Sequence, residues 1–284
     1  MGDSRSLSRP IFAVAWSGFL AFFILVVGQG VWGALLVGNL RSSPAVPWCA
    51  PAMAIVLWLF WRYLGGKGWP HSTSEARHRY LRANRVPGSV LTWALVTGVL
   101  AIVSLAGLWI VLFQLVKMSP NAMDDFSKYP LLTAALVIVM ASLVSPLTEE
   151  AAFRGYCQSI LEREFTGAPA ILISSVFFTA AHVVHGLLWP KLLVYFLVGV
   201  VFGVTAYLTK SILPALPVHI IGDLAFFLFV WPQDAARKLV WDTGADAWFW
   251  VHVTQTVVFA ALTILSFLKL SNVSKGLRAG SGAN

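Results

Sequence analysis

Charge is what this sequence has least of. Only 11% of its 284 residues are Asp, Glu, Lys or Arg, where a soluble domain carries about a quarter. Hydrophobic residues reach 58%, with 13 Trp and 19 Phe among them. A water-soluble globule is excluded, because a 31.0 kDa core cannot hide so much apolar surface. Cysteine is scarce too. Cys49 and Cys157 are the only two and lie in different segments, so a disulfide framework or a cysteine-based metal knuckle is not expected, and both should serve packing. The H-E-x-x-H zinc pattern and the G-x-S-x-G elbow are missing, as are a serine–lysine dyad in a convincing context and any internal repeat.

What is present is a series of long apolar runs. About 20 such residues cross a bilayer as a helix, and eight candidates occur, over 11–37, 47–63, 91–116, 131 onward, 168–186, 192–208, 214–231 and 247–267. The first follows Arg5 and Arg9 but is about twice too long for a signal-peptide core, so it is expected to be retained as a span. The predicted fold is all-α, a polytopic membrane protein of about eight transmembrane helices. Four regions are expected: three spans with a basic loop over 1–130, a core over 131–232, a last span over 233–270 and a disordered tail over 271–284.

Lys and Arg are concentrated in cytoplasmic loops of membrane proteins. Arg62, Lys67, Arg77, Arg79, Arg82 and Arg85 all fall between the second and third spans. Placing that loop in the cytoplasm brings both termini with it. Fourteen of the 20 basic residues then lie on the cytoplasmic side: the loop's six, two at the N-terminus, Arg154, Arg163, Lys210 and three at the C-terminus. The net charge of +8 reads as a surface for anionic lipid headgroups. Nucleic acid binding has no other support in the sequence.

Against this background "LTEEAAFRGY", residues 147–156, is conspicuous: two carboxylates and an arginine at the end of an apolar span. The helix continues to about Thr166 and turns back into the next span. Glu149 lies 17 residues before that turn and His182 lies 16 after it, so a helical hairpin brings them level. His219 comes about eight residues after the turn at Lys210, roughly 12 Å inward, with Asp223 one turn further on the same face. Ionisable residues inside a span are costly and mark function by default.

A buried carboxylate near histidines can take a proton from water. Glu149 and Glu150 point in different directions on a helix, and Glu150 is four residues from Arg154, a salt-bridge spacing. The simplest division pairs Glu150 with Arg154 and assigns Glu149 as the base. A helix-end cap or a snorkelling acid is the bland alternative for both. His185 and His252 read as packing residues. Two readings of the rest stay open. In one, His182, His219, Asp223 and Glu149 hold a zinc ion with a site left for water. In the other there is no metal, and His219 with Asp223 steadies the developing oxyanion.

Three stretches in order, "EEAAFRG", "FTAAH" and "SILPALPVHIIGD", resemble the E-E-x-x-x-R, F-x-x-x-H and H-x-x-x-N/D motifs of the CPBP intramembrane proteases. That family includes the type II CAAX prenyl endopeptidases and the bacteriocin-immunity-like homologues. The resemblance implies an eight-helix membrane fold and peptide hydrolysis by glutamate-activated water, with Glu149, Glu150, Arg154, His182, His219 and Asp223 at the matching positions. The prenyl proteases usually carry Asn where this chain has Asp223. The expected substrate is a membrane-anchored or lipidated, CAAX-like peptide, the other partner is the lipid bilayer, and no nucleic acid is involved. Zinc is the one cofactor admitted. The expected location is a bacterial inner membrane with the site toward the cytoplasm. A non-catalytic immunity factor, or a proton-coupled transporter using the same Glu/His cluster, is the competing reading.

Overall fold

The computed structural model describes residues 4–118 and 126–280. Among them every regular element is helical and no strand occurs. The principal helices are α1 (Ser4–Ser42), α2 (Cys49–Leu64), α3 (Ser74–Leu81), α4 (Gly88–Leu115), α5 (Leu131–Leu161), α6 (Gly167–Ala181), α7 (Trp189–Thr209), α8 (Ala215–Ala225), α9 (Ala247–Val273) and α10 (Lys275–Gly280). Among the described residues, seven helical stretches are long and apolar enough to cross a membrane. The second expected span, α2, is present but has 16 residues, short of the roughly 20 that a bilayer core needs. The protein is a polytopic all-helical membrane protein.

The described chain packs as two compact units that interleave in sequence. Unit 1 takes residues 1–83 and 123–170, and unit 2 takes 84–122 and 171–284. The expected core, 131–232, is therefore shared between them.

In unit 1, α1, α2 and α5 meet around Trp32, Cys49, Met53, Leu57, Val137, Met140 and Val144. Cys49 and Cys157 are free thiols buried in packing, as expected. Apolar helices in lipid gain little from burying apolar surface against each other, so close contact through small residues holds them together. Gly28 on α1 is such a contact: a Cβ there would collide with Thr148 on α5. The basic loop is less of a surface than its composition suggests. Arg77 is buried and donates to the carbonyls of Tyr63, Lys67, Gly68 and Pro70, folding the segment after α2 onto α3. Arg82 is buried as well. Two of the loop's six cations therefore hold backbone rather than lipid headgroups.

In unit 2, α4 packs along α9, and α7 and α8 also lie against it. Small and hydroxyl residues make these approaches. A Cβ on Gly98 would crowd Val218 of α8, one on Gly107 would crowd Thr256 of α9, and Thr97 shares a 2.6 Å hydrogen bond with Ser266. The span that begins with α6 changes geometry at its end. A 3₁₀ turn covers His182–His185, Gly186 takes φ +107°, and α7 restarts with Pro190 in its first turn. The left-handed φ favours glycine at that corner, and proline suits a helix start because its missing N–H is not needed there.

The tail differs from expectation over its described part. α9 runs on to Val273, and α10 follows to Gly280. Buried Leu270 packs with Val90, Ala94 and Leu208, and Leu277 packs against that cluster. The Ser274 hydroxyl returns to the Leu270 carbonyl at 2.8 Å. An anchor on the core thus outweighs the polar composition of the segment. Residues 281–284 lie outside the described residues.

Candidate active site

The opening motif sits on α5, in unit 1. Up to Glu149 the helix is α, with Pro146 inside it. From Glu150 to Cys157 it widens to a π-helix, then returns to α over Gln158–Leu161. π segments are rare and recur at functional sites. The basic loop braces this one. Gly155 admits the carbonyls of Tyr80 and Leu81, since a Cβ there would lie 3.2 Å from the Leu81 oxygen. Arg82 donates to the Arg154 carbonyl at 2.6 Å and to Glu162 at 2.9 Å, and Gln158 steadies the same Glu162 at 2.9 Å. Arg82 holds a left-handed backbone, φ +52°, a conformation that costs about 1–2 kcal/mol for a residue with a side chain.

Glu150 and Arg154 form the expected pair, Oε1 to Nη1 at 3.3 Å, with side chains 0% and 1% exposed. Glu149 is 3% exposed and is held quite differently. Its Oε1 accepts from the Ser145 hydroxyl at 2.6 Å, one turn back, and from the Gln29 amide at 3.1 Å. Gln29 comes from α1 and follows Gly28, the residue whose lack of a Cβ lets α1 approach Thr148. The sequence did not single it out. The available signal was faint: one amide between Gly28 and Gly30 in an otherwise apolar run. Its partner is 120 residues away, beyond the reach of any local pattern.

The histidines belong to unit 2. The Nδ1 of His182 lies 2.8 Å from the Phe178 carbonyl. A carbonyl only accepts, so Nδ1 carries the proton in that bond. The His182 ring stacks on Tyr195 at 4.3 Å. His219 is buried, stacks on Phe202 at 4.7 Å, and faces Asp223 with Nε2 and Oδ1 3.7 Å apart. That separation is an ion-pair contact rather than a hydrogen bond. The H-x-x-x-D spacing thus places both groups on one face, as expected. Depth is the point of difference within unit 2. Tyr195 and Phe202 are seven residues apart on α7, about 10 Å by helical rise, so His182 and His219 are stepped along the helix rather than level.

His185 lies beside this group, 5.9 Å ring to ring from His182. His252 is buried on α9 with Nδ1 3.0 Å from the Gln255 side chain and its ring edge-on to Trp248, the packing role expected of it. Within either unit, among the described residues, no three His, Cys, Asp or Glu side chains gather so as to hold a metal ion. A catalytic zinc takes three protein ligands, so neither unit by itself fits one.

The family model described as type II CAAX prenyl endopeptidase Rce1-like matches residues 131–225. That segment is about a third of the chain and contains Glu149, Glu150, Arg154, His182, His219 and Asp223. No curated protein and no solved structure matches the chain. Residues 131–225, the glutamate and histidine motifs included, are thus similar to the type II CAAX prenyl endopeptidase Rce1-like family.

Proposed function

We propose that this protein is an intramembrane endopeptidase that hydrolyses a peptide bond of a membrane-anchored or lipidated, CAAX-like substrate. Glu149 acts as general base. Its carboxylate takes a proton from water as the water oxygen bonds to the scissile carbonyl carbon. The carbonyl oxygen becomes an oxyanion, which His219, backed by Asp223, stabilises by donating a hydrogen bond. His182 assists through Nε2. The proton held by Glu149 then passes to the departing amine as the C–N bond breaks. Glu150 and Arg154 keep the motif helix in place. No step requires a metal ion. A zinc, if one is carried, would be held by His182, His219, Asp223 and Glu149 and would polarise the carbonyl or the water.

The observation that carries this reading is the division of labour between adjacent glutamates in the family-matched segment. Glu150 is neutralised by Arg154. Glu149 is buried and accepts from the Ser145 hydroxyl and the Gln29 amide, and this reading assigns it as the base. The cytoplasmic side of the membrane is proposed for the site from the distribution of Lys and Arg.

The test compares membrane proteomes of cells that carry the wild-type protein, no protein, or Glu149→Gln. An uncut precursor should accumulate in the last two alike. On that precursor as substrate, Glu149→Gln should lower cleavage about 10²–10⁴-fold, the usual worth of a general base. Full rescue by Glu149→Gln would sink hydrolysis and favour a binding or transport role. Zinc content and activity before and after chelation address the metal: activity that survives complete zinc removal agrees with the mechanism above, and its loss would overturn the metal-free form.

A further inference from the structure

Unit 2 contains an open cavity of about 410 Å³, lined in part by Gln114, Gln233, Arg237, Lys238, Asp246 and Trp248. The volume falls within the range of small-molecule sites, about 300–1,000 Å³. None of the six candidate catalytic residues lines it.

Its level in the fold is informative. Gln114 is one residue from the end of α4, and Asp246 is the N-cap of α9. Both are membrane-length helices, so the cavity lies where lipid headgroups lie. Trp241, Trp248 and Trp250 surround that level and are 74%, 61% and 57% exposed, the placement of an interfacial aromatic belt. The Trp241 indole donates to the Leu115 carbonyl at 2.8 Å and ties the linker before α9 to the end of α4.

The lining has two chemical faces. One is cationic: Arg237 is held in place by Asp234 at 3.0 Å and by the Val230 carbonyl, and Lys238 is exposed beside it. The other accepts hydrogen bonds. Asp246 uses one carboxylate oxygen to cap Phe249 N at 2.8 Å, which leaves its charge in the cavity wall. Gln114 completes the lining on the α4 side.

We propose that this cavity binds the phosphoethanolamine headgroup of a phospholipid. The phosphate meets Lys238 and Arg237, and the ammonium donates to Asp246. The acyl chains have the exposed apolar side of α9, including Val251 and Val258, to run along. A choline headgroup has no N–H to donate, and a glycerol headgroup carries no positive charge for Asp246.

The experiment strips the full-length protein of lipid in detergent and offers it equimolar phosphatidylethanolamine, phosphatidylcholine and phosphatidylglycerol, counting bound lipid by native mass spectrometry. Phosphatidylethanolamine should be retained roughly tenfold over the other two, the factor that about 1.4 kcal/mol gives. Lys238→Ala and Asp246→Asn should each bring that ratio close to one. Asn still caps a helix, so Asp246→Asn removes the charge and leaves α9 capped. Equal retention of phosphatidylcholine, preference for phosphatidylglycerol, or an unchanged ratio in both variants would overturn the proposal. Free O-phosphoethanolamine is the arm that separates sources. It should displace the lipid only at far higher concentration, and displacement at equal concentration would mean a site for a soluble zwitterion, contrary to the proposal.

Discussion

Glu150 and Arg154 stand four residues apart in unit 1, and His219 and Asp223 stand four apart in unit 2. The first pair is 3.3 Å apart with both side chains sealed. The second is 3.7 Å apart, and its Asp223 side chain is 23% exposed. One spacing thus produces a locked pair and a loose one, and the surroundings decide which. Around the first, a π-helix is clamped by Gly155 against the Tyr80–Leu81 backbone and by Arg82 on the Arg154 carbonyl. Around the second there is a ring stack on Phe202 and an open side. The sealed pair suits a scaffold, and the more open pair suits chemistry.

The largest effect expected from this contrast is on stability. Arg154→Ala leaves Glu150 buried without its counter-charge and should cost about 3–5 kcal/mol, read as a lower unfolding free energy in detergent. Asp223→Ala should cost under about 1 kcal/mol, because a partly exposed pair is worth little. Equal losses in the two variants would break the distinction. Replacing both members of the locked pair, as Glu150→Leu with Arg154→Met, should recover most of the loss, since apolar residues of similar size often substitute for a buried pair without penalty.

Next in size is the support of Glu149. Gln29→Leu removes a donor from a buried carboxylate, an effect of about 1–3 kcal/mol. The expected readout is kcat, down roughly 10- to 100-fold by that energy, with KM little changed because Gln29 is assigned to the base and not to the substrate. Gln29→Glu would set a second acid against Glu149 and should do worse than Gln29→Leu. A fall in stability with kcat preserved would move Gln29 from positioning to simple packing.

The parts of this site that were legible in the sequence are those governed by local rules. Apolar length gave the spans, and helical periodicity gave Glu150–Arg154 and His219–Asp223. The parts that were not legible depend on which helix lies beside which. Gln29 reaches Glu149 across 120 residues of chain. Arg82 looked like one more cytoplasmic cation and is instead a brace for the motif helix. Counting residues at 1.5 Å each places His219 roughly 12 Å inward of its turn and His182 level with Glu149, on the assumption of regular helices and a regular hairpin. Within unit 2 the 3₁₀ turn at His182–His185 interrupts the first assumption, and the stacks on Tyr195 and Phe202 locate the rings about two turns apart. The tail was misread because composition reports the solvent-facing side of a segment, while Leu270 and Leu277 anchor it from the other.

The smallest expected effect falls on the residue where this chain departs from the usual prenyl-protease pattern. Asp223→Asn keeps an oxygen that can accept from His219 and deletes only the charge. At 3.7 Å and with the Asp223 side chain 23% exposed, that charge is worth about 0–1 kcal/mol, so kcat/KM should fall by no more than about fivefold. Stability should be unchanged within error. The comparison of the two pairs stands or falls on this modest number. A loss beyond a hundredfold, measured on the same precursor peptide as Glu149→Gln, would show that the negative charge itself acts in the reaction. Asp223 would then do for His219 what a fixed counter-ion does, and the two pairs would differ in place but not in kind.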